Sequence, residues 1–270
     1  MTTDDYTLQE LMVIEAGRRL GDTESVVVGL GLPVLAATIA KLTSHPHFVY
    51  STEIGVFDWY PDPETIARGP VGIHDISLFP GSGMLSDMTD ALGAWTHGGD
   101  ADCAFLTGAQ IDKYGNINTI AIGEYASPER RLGGTGGNTD LACSAARSVV
   151  IMSLEGRRFV ERVDFITSPA YIDGPGARQR EGLDVQGPNI VVSTMGVFSF
   201  DTEDRGQTGS CEMVLTDLFP GVEVATVQAI VPWALRVDPN PGRVQPPTDD
   251  ELTWLRRLDN LGMYLREGRY

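Results

Sequence analysis

Glu53 stands at the end of the apolar run Phe48-Val-Tyr-Ser-Thr-Glu53-Ile-Gly55. Acidic residues are poor strand formers and are rarely buried without a partner. A carboxylate at the exit of such a strand is therefore either a surface turn residue or a reactive group. As a reactive group it would serve as a nucleophile toward an acyl carbon, and Gly55 beside it lets other backbone or a substrate come close. A second segment supplies what that chemistry needs. Gly133-Gly-Thr-Gly-Gly137-Asn138 sets four glycines in five positions ahead of an expected helix. Backbone N–H groups there suit an oxyanion or phosphate, with a flexible loop as the alternative reading. Gly134, Gly136, Gly137 and Asn138 are the candidate anion contacts, and Gly136 and Gly137 the candidate oxyanion donors. Gln110 is either a polar contact to the same ligand or a strand-end structural amide.

These residues need strands to deliver them. Thr7-Leu-Gln-Glu10 is a capping box, and Leu8, Leu11, Met12, Ala16 and Leu20 follow near helical spacing, which predicts a helix over 7–20. Ser25 to Val28 is a β-branched run. Gly29-Leu-Gly31-Leu-Pro33 then turns the chain into an apolar helix reaching Leu42. Strand, glycine turn and helix open a βαβ unit whose second strand ends at Glu53, so the two strands are expected to be parallel. Gly29 and Gly31 invite a dinucleotide reading, but Val34 replaces the third glycine, and a tight strand-to-helix turn is the simpler account. Residues 58–100 read as loops with a short helix near Ser86 to Ala94. Strands are expected at 101–106, 117–122, 148–152, 163–167, 190–193 and 212–218. A hairpin turn is expected at 112–116, a helix over 139–146, a helical turn near 157–162 and a hairpin at Met195-Gly196. Thr248-Asp-Asp-Glu251 is a second capping box, opening a helix with Leu252, Leu255, Leu258 and Leu261. The alternation predicts an α/β fold, an open and largely parallel sheet with helices on both faces, spanning 1–270 as a single domain.

Composition excludes several functions. A net charge of −17 argues against nucleic-acid binding, which needs a basic patch. No apolar run reaches the roughly 18 residues of a membrane span, the best candidate being broken by Gly29, Gly31 and Pro33. With no basic-then-apolar opening segment the chain is expected to be cytoplasmic. Cys103, Cys143 and Cys211 are widely spaced and read as reduced thiols, and the four histidines show no metal-site spacing, so no metal is expected. Lys41 and Lys113 are the only lysines among 20 basic residues. Arginine, whose planar fork suits phosphates and carboxylates, is thus the main cation available to an anionic ligand.

Several of these segments, taken in order, resemble the B subunit of class I coenzyme A transferases, most closely the glutaconate CoA-transferase type. They are Gly29-Leu-Gly-Leu-Pro33, Glu53-Ile-Gly55, Gly108-Ala-Gln-Ile-Asp-Lys-Tyr-Gly-Asn116, Ile122-Gly-Glu-Tyr125, the glycine cluster at 133–137, and Thr167-Ser-Pro…Ile172-Asp-Gly-Pro-Gly176. The resemblance implies an open α/β fold shared with sugar-phosphate isomerases and a separately encoded A subunit as partner. It also implies a CoA thioester as substrate with no permanently bound cofactor, Glu53 as the acyl-accepting nucleophile through a glutamyl-CoA thioester, and Gly134 to Gly137 beside that thioester, with Gly29 and Gly31 as further candidate CoA contacts. Around the nucleophile the chain departs from the family, with Thr52-Glu53-Ile54-Gly55 where many relatives carry Ser-Glu-Asn-Gly or Glu-Ser-Gly; the glutamate and glycine are kept. The alternatives are an acyl-CoA hydrolase of the ring-cleaving type on the same fold, and a non-catalytic ligand-binding protein on that fold.

Overall fold

The computed structural model of the chain describes residues 2–265 apart from 4, 30, 65, 71, 73, 184, 204 and 205. Its frame is a ten-stranded sheet. In chain order the strands are β1 (Ser25–Val28), β2 (Val49–Thr52), β3 (Val56–Phe57), β4 (Met84–Leu85), β5 (Cys103–Leu106), β6 (Arg147–Ile151), β7 (Pro188–Val192), β8 (Gly196–Glu203), β9 (Thr208–Leu218) and β10 (Arg236–Arg243). They lie in the order β10-β9-β8-β7-β6-β5-β1-β2-β3-β4. The five central strands, β7 to β2, run parallel. Antiparallel pairs flank them, β7 with β8 and β8 with β9 on one side, β2 with β3 and β3 with β4 on the other.

The centre is parallel because its strands are short, β-branched or aromatic, and buried along nearly their whole length: Val26 to Val28, Cys103 to Leu106 and Val149 to Ile151 are each at most 1% exposed. Such runs are stable only when covered, and helices cover them. Four main helices are α1 (Leu8–Arg18), α2 (Leu32–Leu42), α3 (Asn138–Ser144) and α4 (Asp249–Leu258). Both expected capping boxes form: Thr7 and Thr248 each accept from the third helical N–H while Glu10 and Glu251 bond back to them. At Gly17, α1 crosses α2 so closely that a Cβ would sit 2.7 Å from the Ala36 carbonyl oxygen. Among the described residues no helix is long and apolar enough to cross a membrane.

Two expectations fail. Val163 to Thr167 forms no strand, and the helical turn expected near 157–162 is a single turn slightly earlier, in which the Arg158 and Phe159 N–H groups donate to Glu155 O; beyond it the segment is a loop that meets its neighbours at isolated bridges, Ile111 with Phe159 and Ile117 with Ser168. Its polar groups are satisfied across the gap instead, as Thr167 N–H and Ser168 N–H both donate to the Ile117 carbonyl. The expected strand at 117–122 splits into two hairpin arms, Ile117–Asn118 paired with Gln110–Ile111 and Ala121–Ile122 paired with Arg130–Arg131. The segment expected as a helix near 86–94 is a π-helix over Thr89–Thr96.

Three partly buried acid–arginine pairs bind distant parts of this frame. Arg18 holds Glu251 at 2.6 Å, Arg256 holds Glu10 at 2.8 Å and Arg147 holds Glu24 at 2.5 Å. Burial pushes each carboxyl up, but the arginine bonds and backbone N–H donors outweigh it and leave all three below the ordinary value of 4.5. A carboxyl depressed by folding stabilises the fold above its unfolded pKa and loses that contribution as pH falls through its folded one. The chain's denaturant midpoint is therefore expected to fall steeply below about pH 4.5. Arg18→Met should cost about 2 kcal/mol at pH 7 and make the acid limb shallower; urea titrations across pH measure both.

Candidate active site

The turn after β2 presents Glu53. The Gly55 N–H donates to the Thr52 carbonyl at 3.1 Å, closing the turn, and the chain returns at once as β3. Gly55 has a φ of +94°, and a Cβ there would lie 2.5–2.6 Å from the backbone of Ser86 and Asp87. The close approach that Gly55 permits is thus to this chain's own backbone. Thr52 and Ser51, at most 1% exposed, fix the strand end beneath.

Glu53 reaches across to the glycine cluster. Its Oε2 accepts from the Gly137 N–H at 2.6 Å, and a Cβ on Gly137 would sit 2.5 Å from that oxygen and 3.2 Å from the Leu92 side chain. A Cβ on Gly136, whose φ is +50°, would lie 3.4 Å from both carboxylate oxygens. Glycine is required here because the nucleophile candidate lies against the main chain itself. The Gly134 N–H donates to Thr119 O, so it is already used by the fold. The Gly136 N–H has no acceptor among the described residues. The oxyanion role expected for Gly136 and Gly137 therefore divides: Gly137 holds the carboxylate, and Gly136 has the uncommitted donor.

A cavity of about 690 Å³ opens on this point, lined by Glu53, Gly29, Gly31, Gly134, Gly136 and Asn138 among others. The Gly29 N–H donates to Phe105 O at 2.9 Å, and a Cβ there would lie 3.1 Å from the same oxygen, so the first glycine lets β1 and β5 close together. Gly31, with φ +89°, begins α2; Leu30 between them lies outside the described residues. The Asn138 amide donates to Thr107 O at 3.1 Å, tying the glycine cluster to the end of β5.

Gln110 does not reach this cavity. It is 4% exposed; its Nε2 donates to Asp164 Oδ2 at 2.9 Å, and its Oε1 accepts from the Asn118 amide at 2.7 Å and the Asp164 N–H at 3.2 Å. One N–H and the oxygen of the amide are thus spent on Asp164 and Asn118 of this chain, which favours the structural reading of that residue. The segments 108–116 and 167–176 likewise lock to each other. Asn116 Oδ1 accepts from the N–H groups of Ala170 and Ile172, and its amide donates to Ile172 O. Arg178, 1% exposed, clamps Pro169 O, Ala170 O and, through its other nitrogen, Ala142 O in α3. The Thr139 hydroxyl donates to Thr167 O at 2.6 Å. The 167–176 loop thus braces the helix that carries the glycine cluster.

Sequence reasoning singled out none of the cations that line the cavity: Arg130, Arg131, Arg157 and Arg158. Their signal was two Arg-Arg pairs in an acidic chain, one three residues ahead of the glycine cluster. It also passed over Leu92 and the tie that places it, in which His97 bonds both Asp140 and Ser144 of α3 at 3.0 and 2.7 Å.

An acidic side chain, a glycine cluster and arginines gathered at the carboxyl ends of parallel strands define an open α/β protein with a ligand site at its strand ends. Residues 10–229 match the family model described as Coenzyme A transferase, and the chain belongs to that family. It is 34% identical over 254 residues to the B subunit of 3-oxoadipate CoA-transferase from Pseudomonas knackmussii, covering 94% of each chain. It is 32% identical over 266 residues to the B subunit of glutaconate CoA-transferase from Acidaminococcus fermentans, covering 91% of this chain and 97% of the other. The crystal structure of glutaconate coenzyme A-transferase from Acidaminococcus fermentans matches with a TM-score of 0.85 at 28% identity, covering 98% of this chain and 99% of that one.

The packing around Gly137 generates a sharp expectation. Gly137→Val would push its side chain into the Glu53 carboxylate and Leu92. CoA transfer by the variant complex should fall at least 10²- to 10³-fold, while far-ultraviolet circular dichroism stays that of the parent. Steady-state rates near normal would reduce the cluster to a turn.

Proposed function

We propose that the chain is the B subunit of a CoA-transferase that moves coenzyme A between carboxylic acids through a glutamyl-CoA thioester on Glu53. The observation that carries this reading is the Glu53 carboxylate held at 2.6 Å by the Gly137 N–H at the mouth of the cavity. With Oε2 so fixed, Oε1 is the oxygen left to attack. It adds to the carbonyl of an acyl-CoA, the negative charge passing to the carbonyl oxygen, for which the Gly136 N–H is the candidate donor. Expulsion of the CoA thiolate leaves an acyl-glutamyl anhydride. The thiolate then attacks the glutamyl carbonyl, the first acid leaves as its carboxylate, and Glu53 carries CoA as a thioester. The same steps in reverse hand CoA to the second acid. No proton needs to be taken up, which fits a nucleophile that is already a carboxylate and needs no base to activate it.

A nucleophile of this kind must become covalently modified. Acyl-CoA supplied without acceptor should build up an enzyme thioester that borohydride reduces, with inactivation and a mass change confined to the peptide bearing Glu53. Glu53→Ala should lose transfer outright. Glu53→Asp, its carboxylate drawn back by one methylene, should transfer poorly and retain slow hydrolysis by positioning a water. An adduct on another residue, or Glu53→Ala transferring near the parental rate, removes this mechanism; hydrolysis without transfer in the parent favours the hydrolase reading.

Kinship to proteins named as B subunits implies a separate partner chain. The Glu53 edge of the sheet supports where it sits. Beyond β2 the sheet ends in β3 and β4, and Ile76, Phe79, Met84, Leu85 and Met88 on that edge are 44–75% exposed. A sheet edge carrying exposed large apolar side chains is a liability unless covered. The partner should bury on the order of 2,000 Å² there, as permanent complexes do. Leu85→Asp should weaken co-purification of the two subunits, and this chain alone should show no transfer; full activity of the isolated chain would overturn the assignment.

A further inference from the structure

We propose that Leu265 is the end stop of the acyl pocket, so that the length of acyl chain the protein accepts is set by the strap 259–265 that follows α4. This rests on the reading of Glu53 as the point where the acyl carbonyl sits. Two cavities meet at Leu265. The one that Glu53 lines is about 690 Å³, and a second of about 730 Å³ lies between the start of α1 and the end of α4. They have Gln9, Glu155 and Leu265 in common, and these three residues are the partition between them.

Toward that partition the lining of the first cavity turns apolar. Leu32 follows Gly31 at the start of α2, and Met12 lies one turn along α1 from Gln9 on the same face. Tyr264 precedes Leu265 on the strap and lines the cavity with it. Such a wall suits the hydrocarbon of an acyl group. The second cavity is polar by contrast, with Glu10, Arg256, Asp259 and Asn260 in its lining. A hydrocarbon therefore has reason to reach Leu265 and little reason to pass it.

The strap is built to hold its leucine still. One carboxylate, that of Asp259, accepts from three consecutive N–H groups, Met263 at 2.6 Å, Tyr264 at 3.0 Å and Leu265 at 3.0 Å. Gly262, with φ +58°, makes the turn this requires and donates to Asp259 O at 2.7 Å. The Asn260 amide ties the strap to Ala67 O at 2.9 Å. Bonds to a charged acceptor are short and directional, so the main chain of Leu265 is fixed and its side chain is a firm wall. A chain growing toward such a wall gains buried area with each carbon until it touches, and is then crowded.

The test titrates acyl-CoAs from acetyl to decanoyl into the complex with its partner subunit, by calorimetry, with Glu53→Gln so that no thioester forms. Affinity should rise about fourfold per methylene and then break sharply. Leu265→Ala, which removes three carbons, should move the break about three carbons longer. Leu265→Trp should move it shorter, and opposite shifts cannot come from a damaged fold. Gln9→Ala, which thins the partition from the α1 side, should move it longer as well and serves if the strap variants do not assemble. No binding, no break, or a break that none of these variants moves would overturn the stop. So would an equal change at every length, acetyl-CoA included, since the CoA arm would then be what meets Leu265. Failure of the Glu53 complex to transfer CoA would end the transferase reading while leaving the length profile as evidence for the stop.

Discussion

The hydrogen bond from the Gly137 N–H to the Glu53 carboxylate joins segments 84 residues apart, and much of the structure exists to let those two points meet. Neither end can approach without its glycine. On one side Gly55 lets the turn after β2 press against Ser86 and Asp87; on the other, Gly137 admits the carboxylate where a Cβ would intrude, and Gly136 supplies the left-handed backbone beside it. A charge-assisted bond to a backbone donor is short and directional. It leaves the side chain one orientation from which to act, which is the form of preorganisation that makes a flexible glutamate serviceable as a nucleophile.

Behind that bond lies a bracing layer that does no chemistry of its own. Arg178, Thr139 and Asn116 fasten the 167–176 loop to α3 and to the 108–116 hairpin. His97 fastens the π-helix bearing Leu92 to the same α3 from the other side. The glycine cluster, free of side chains, would wander without these fixtures. Its rigidity is borrowed from the polar groups bonded around it, of which Arg178 and Asn116 are buried and costly to move.

The sequence made local features legible and left pairings hidden. The capping boxes at Thr7 and Thr248, the β-branched strand at 25–28 and the exit of β2 at Glu53 are each decided within a few residues, and each forms as read. That the Gly137 N–H meets the Glu53 carboxylate depends on contacts across 84 residues and carries no local mark. Gln110 read as readily one way as the other, because an amide at a strand end looks alike whether it faces a ligand or Asp164 and Asn118. Val163 to Thr167 has strand composition but lies beside no open sheet edge, so its backbone bonds to Ile117 instead. The reverse happened at β10. No element was expected at 236–243, yet Arg-Val-Asp-Pro-Asn-Pro-Gly-Arg forms the outermost strand, where few ladder donors are needed and both prolines are tolerated.

The nucleophilic role proposed for Glu53 sets one further requirement on its surroundings. Both the anhydride and the thioester are open to hydrolysis, so the energy of the CoA bond survives only where water is kept from the carbonyl. Glu53 remains partly exposed in this chain, at a sheet edge that also carries the exposed apolar side chains of β4 and its neighbours. The surface proposed for the partner thus adjoins the carbonyl that the proposed chemistry needs dry. For the proposed mechanism, then, the choice between transfer and hydrolysis turns on what surrounds Glu53 and not on the glutamate alone.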